Sequence, residues 1–135
     1  MKKVLPLALV VVLCVATASG QTWLTGSVDD ALAVFGPSTV PKMGDDATLL
    51  NNYAWFWAQQ GTNLESALAA VRRSIALDDR DWSEDTLAVV LLGLGRLDEA
   101  LAAVNKAMAV STTPSRYKGT EKKIKDAIEK KKQGK

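Results

Sequence analysis

Few residues in this chain could do covalent or proton-transfer chemistry. There is no histidine, and the single cysteine, Cys14, lies in an apolar leader. Ser-His-Asp and Cys-His catalytic arrangements and Cys/His metal sites are therefore excluded. What remains is carboxylate and amine chemistry. The densest carboxylate group is Asp78, Asp79 and Asp81, interrupted by Arg80. Paired carboxylates can act as general acid and base, but only in a cleft that sets their pKa values apart. These three fall in a polar turn between two apolar-periodic segments and read as helix caps. The chain is not expected to be an enzyme or to need a cofactor.

The segments around that turn repeat. Leu50-Asn51-Asn52-Tyr53-Ala54 aligns with Glu84-Asp85-Thr86-Leu87-Ala88, Gly61 with Gly95, Leu64 with Leu97, Ala67-Leu68 with Ala100-Leu101, and Val71 with Val104. The offset is about 34 residues, the period of a unit made of two helices. In the first copy, an inner stripe of Leu50, Tyr53, Ala54 and Trp57 predicts a helix from Asp45-Asp46 to Gly61. Leu64, Ala67, Leu68, Val71 and Ile75 predict a second, capped by Asn63. In the second copy the inward faces are Leu87, Ala88, Leu91, Leu94 and then Leu97, Ala100, Leu101, Val104, Ala107, Met108. Asp81 with Glu84 reads as a capping box. Gly61 and Gly95 stand where a helix ends in left-handed backbone. Gly93, inside a helix, either admits a close neighbour or marks a weak last turn.

Residues 1–20 have a basic start, a 12-residue apolar run and a small-residue end, with cleavage expected after Ala18 or Gly20. That is a secretory signal peptide, too short to span a bilayer. Residues 21–45 hold a short helix expected over 27–35, with Val28, Ala31, Leu32 and Phe35 on one face, then a Pro/Gly linker. Residues 46–80 and 81–113 are the two repeats. Residues 114–135 are a capping helix, with Thr113 as N-cap and Pro114 first. Tyr117, Ile124 and Ile128 form its apolar face, Gly119-Thr120 is a point of interruption, and the end from residue 130 should fray.

Charge is divided along the chain. Residues 21–115 carry 6 basic and 12 acidic side chains, and residues 116–135 carry 9 basic and 3 acidic. The basic tail is read as a solvated helix whose charge complements the acidic body, or as a contact for an acidic partner or an anionic membrane surface. Nucleic acid is not expected as a partner, since the repeats carry no basic stripe.

Each unit resembles a tetratricopeptide repeat. That pattern places an aromatic, Leu, Gly and Tyr at spacings of three, one and three, then Ala and Phe four apart. The first copy has Leu50, Tyr53, Ala54, Trp57, Ala67 and Val71, and the second has Glu84, Leu87, Ala88, Leu91, Ala100 and Val104. The departures are Leu50 and Glu84 at the aromatic position, and Asp79 and Thr112 where a proline usually closes the unit. The wording of both copies is similar to versions in exported bacterial proteins. The resemblance covers residues 49–128 and implies an all-α fold: a right-handed stack of antiparallel helix pairs, flanked by the N-terminal short helix and the C-terminal capping helix. It implies a non-catalytic protein- or peptide-binding module, periplasmic or secreted, with a groove lined by the first helix of each pair. The positions carried over are Asn51, Trp55, Trp82, Asp85 and Val89, with Leu92 at the rim. The competing reading makes Trp55, Phe56 and Trp82 core aromatics, with Trp57 core in either case. The competing function is a structural or assembly subunit, a homo-oligomer, acting through an uncovered face or the tail.

Overall fold

The computed structural model describes residues 44–134 in full and the backbone of residues 11–17 and 20–26. Residues 44–134 are all-α, a stack of paired helices. The elements are α1 (Ala47–Gln60), α2 (Leu64–Leu77), α3 (Asp81–Gly93), α4 (Leu97–Val110), a 3-10 turn (Pro114–Tyr117) and α5 (Lys118–Lys132). Ahead of them, β1 (Val11–Thr17) pairs antiparallel with β2 (Gly20–Gly26), Val11 opposite Gly26 and Thr17 opposite Gly20. This ribbon was not foreseen in the apolar leader. The helix expected over 27–35 and the linker to residue 43 lie outside the described residues.

Local chemistry sets the helix ends. Asp46 Oδ1 accepts from the Leu49 N–H at 2.8 Å and starts α1, a cap that contributes about 1 kcal/mol. Gly61 ends it at φ 67°, and Gly95 closes the second copy at φ 72°. The two closures use the same pair of bonds. Gly61 N–H donates to Ala58 and Thr62 N–H to Trp57, as Gly95 N–H donates to Leu92 and Arg96 N–H to Leu91. The copies thus match in backbone conformation as well as in side-chain pattern.

Other caps differ from expectation. Asn63 occupies the N-cap position of α2 with left-handed backbone, φ 50°, and its side chain makes no capping bond. The N-cap of α3 is Arg80, not Asp81, and the reciprocal partner is Ser83. Its hydroxyl accepts from Arg80 N–H at 3.1 Å and lies 2.8 Å from the Arg80 carbonyl, to which it can donate. Glu84 takes no part, because it points into the protein. Thr113 makes no side-chain cap. Gly119-Thr120 does not interrupt α5, which continues straight from the 3-10 turn to Lys132. Its last turn is helical rather than frayed, with Lys132 bonded to Glu129 at 3.0 Å.

Each pair folds back on itself through a three-residue connection, and polar contacts close it at the open end. In the first, Ser74 Oγ donates to the Ala47 carbonyl at 2.6 Å and Arg73 pairs with Asp45. In the second, Lys106 bridges Glu84 at 2.5 Å and Asp79 at 2.7 Å. The pairs then stack, with α3 against both α1 and α2. Gly93 sits at this contact: a Cβ there would come within 3.0 Å of Leu64 Cδ1. Its neighbour is thus the end of a side chain, not another backbone.

The core runs through the stack. Leu50, Tyr53, Ala54, Val71, Ala88, Val104 and Ile124 are fully buried, and Leu68, Leu91 and Trp57 nearly so. Each large aliphatic side chain buried in this way contributes about 1.5–3 kcal/mol. The four alanines at the close approaches, Ala54, Ala67, Ala88 and Ala100, have no exposed surface. Val90 and Phe56 are also buried, beyond the inner stripes predicted for their helices. Leu87 and Leu94 are only partly covered.

Candidate functional site

Glu84 is the first anomaly in the repeat. It stands where the first copy has Leu50, and it is as deeply buried, 3% exposed against 0%. Burial pushes its carboxyl pKa up, and the Lys106 ammonium pulls it back down. Lys106, held by Asp79 and Glu84, is raised in turn. The three expected carboxylates are spoken for: Asp78 bonds Arg80, Asp79 bonds Lys106, and Asp81 accepts from the Trp82 N–H at 3.0 Å. Hydrogen bonding from Ser111 chiefly holds Asp81 below the usual carboxylate range. They act as ion-pair and hydrogen-bond partners, and none of the three caps α3.

The groove candidates behave differently. Asn51 and Trp55 from α1 and Trp82 and Asp85 from α3 line one concavity of about 240 Å³. Asn51 and Asp85 are equivalent positions of the two copies. Trp55 is 39% exposed and Trp82 is half-buried, so neither is a core aromatic. Phe56 and Trp57 are core, and pack edge to face with ring centroids 5.0 Å apart. Val89 is the counterpart of Trp55 in the second copy. It is half-buried one helical turn beyond Asp85 and does not line the concavity. Leu92 packs against the core.

Two further lining residues, Arg116 and Tyr117, come from the 3-10 turn. Sequence reasoning placed Tyr117 on an apolar capping face and gave Arg116 only to the basic tail. The repeat itself held the missing signal. Tyr117 follows Glu84 by 33 residues and Ile124 follows Leu91 by 33, so the spacing of the second copy recurs in the turn and α5.

Among the described residues, the concavity is lined by one carboxylate, Asp85, and one cation, Arg116. Asn51 Oδ1 and Asp85 Oδ1 are both closed to solvent, and neither receives a hydrogen bond of good geometry from the described residues; Thr120 is the hydroxyl beside the Asp85 carboxyl. Asn51 as a whole is 8% exposed. Burial pushes the Asp85 carboxyl up, while Thr120, Arg116 and Lys123 pull against it. The Tyr117 phenol is raised by burial and then by the nearby Asp81 carboxylate. The geometry closes no hydrogen bond on its hydroxyl. The Arg116 guanidinium lies over the Tyr117 ring, 5.8 Å from its centroid. Thr86 turns its hydroxyl back to the Trp82 carbonyl at 3.0 Å and offers nothing outward.

The fold and this site define a helical-repeat-like all-α protein. Comparison of the chain with protein-family models, with curated proteins and with solved structures gave no match. No described helix is long and apolar enough to cross a membrane.

Proposed function

We propose that the two helix pairs are tetratricopeptide-like repeats, and that the chain is a non-catalytic interaction module exported by its N-terminal segment. Its ligand is an extended peptide or protein segment bound in the concavity between α1, α3 and the 3-10 turn. One observation carries the reading. Equivalent side chains of the two copies, Asn51 and Asp85, each keep a buried oxygen without a donor. A buried polar atom left unpaired costs about 1–3 kcal/mol, so a site that keeps two gains by receiving donors such as peptide N–H groups. Trp55 and Trp82 beside them supply rigid apolar area of the kind that dominates binding energy.

The test is selection from a displayed library of random peptides, followed by binding measurements on the winners. The unaltered chain is compared with the Asn51→Ala/Asp85→Ala double variant, after circular dichroism shows equal helix content. Enrichment of peptides that bind the unaltered chain and not the variant supports the groove. The same peptides binding both with equal affinity would refute it.

A further inference from the structure

We propose that the concavity recognises a cationic side chain, lysine or arginine, presented by an extended peptide, and that Arg116 stands in for that cation in the free chain. The inference rests on the peptide-binding reading and names its ligand chemistry. It starts from what the site offers. The unpaired atoms Asn51 Oδ1 and Asp85 Oδ1 are acceptors only, so the ligand must bring donors. The Asp85 carboxylate among them favours donors that carry positive charge. Trp55, Trp82 and Tyr117 add aromatic faces, whose quadrupoles attract a cation. The chain already shows this preference, with the Arg116 guanidinium stacked on Tyr117 and felt by both Asp81 and Asp85.

An acidic ligand would set its carboxylate against Asp85 and would have to compete with that side chain for Arg116, the one cation lining the concavity among the described residues. The basic tail of a second copy does not serve as the ligand. Lys130, Lys131 and Lys132 are the last turn of α5 and not an extended segment. Arg116 and Trp55 line the concavity beside these two residues, Asn51 and Asp85, and are both exposed, so their side chains can change rotamer when a ligand enters.

The experiment uses the full chain and nuclear magnetic resonance of its indole N–H groups, with Trp55 and Trp82 assigned by Trp→Phe variants. The probes are three capped tripeptides, Gly-X-Gly, with X arginine, citrulline or glutamate. Citrulline keeps the shape and most donors of arginine and loses the charge. The arginine peptide is expected to shift both indoles saturably and to bind about tenfold more tightly than the citrulline peptide. Asp85→Asn should erase that tenfold difference, and Arg116→Ala should tighten arginine binding several-fold. Equal binding of the arginine and citrulline peptides would overturn the inference and leave the groove standing. No indole shift with any peptide would overturn both.

Discussion

Glu84→Leu is expected to stabilise this protein, although it deletes an ion pair. The second copy buries a carboxylate where the first buries Leu50. The side chain of Glu84 is 4% exposed and that of Lys106 is 48%. The carboxylate bears nearly full desolvation, while the attraction that offsets it is partly screened by solvent. Replacing buried ionic groups by apolar ones of similar size is often neutral or stabilising by about 1–4 kcal/mol. Half exposure of Lys106 and its retained bond to Asp79 place the expectation at about 1–2 kcal/mol. For a domain of this size that is a rise of about 4–8 °C in melting temperature per kcal/mol. Lys106→Met does the opposite. It leaves Glu84 buried without its donor and costs about 1–3 kcal/mol. With Glu84→Leu already present, Lys106→Met should cost only a few tenths of a kcal/mol, so the two changes are strongly non-additive. Urea unfolding followed by circular dichroism and tryptophan fluorescence measures all three. A Glu84→Leu variant less stable than the parent by more than about 1 kcal/mol would refute the reasoning, since a loss of that size means the ion pair outweighs its desolvation.

The pH dependence follows from the same residue. Burial raises the folded pKa of Glu84 above its ordinary 4.5, so its contribution is fully present below that value and is lost as pH rises through the folded pKa. Glu84→Gln should therefore flatten part of the fall in stability above pH 4.5, and an unchanged profile would show that Lys106 cancels the burial. Asp46→Ala removes the one side-chain cap of α1 and should cost about 1 kcal/mol in urea unfolding, with little change in slope. Gly61→Ala forces a side chain into left-handed backbone at φ 67° and should cost about 1 kcal/mol, while Gly93→Ala should be near neutral because only the end of Leu64 must shift. Ile124→Ala opens a cavity under α5 and should cost about 2–5 kcal/mol; a loss below 1 kcal/mol would mean that α5 is not part of the cooperative unit.

Much of the helical body was legible in the sequence because its signals are local. The inner stripes, the Asp46 cap and the two glycine closures each need only the residues of one helix and its ends, and the 34-residue period repeats that set. The alanines at 54, 67, 88 and 100 mark close approaches by size alone. The period even reaches Tyr117 and Ile124. Asn51 and Asp85 were legible as a pair because equivalent positions of equal units face the same way, and Trp55 and Trp82 line the same concavity without equivalent partners in it.

Tertiary structure decided the rest. Glu84 looked like a cap because a carboxylate in the first turn of a helix is usually solvated. Only the approach of Lys106, 22 residues away, makes its burial tolerable, and Ser83 then takes the capping role. Val89 has the right spacing but does not line the concavity, which takes Arg116 and Tyr117 from the distant 3-10 turn. That two oxygens, on Asn51 and Asp85, lack donors is a property of their surroundings and of no sequence pattern. The sequence by itself determined which residues repeat and which face inward. Packing between distant segments determined which polar groups are paired, which are left open, and so where a ligand has something to bind.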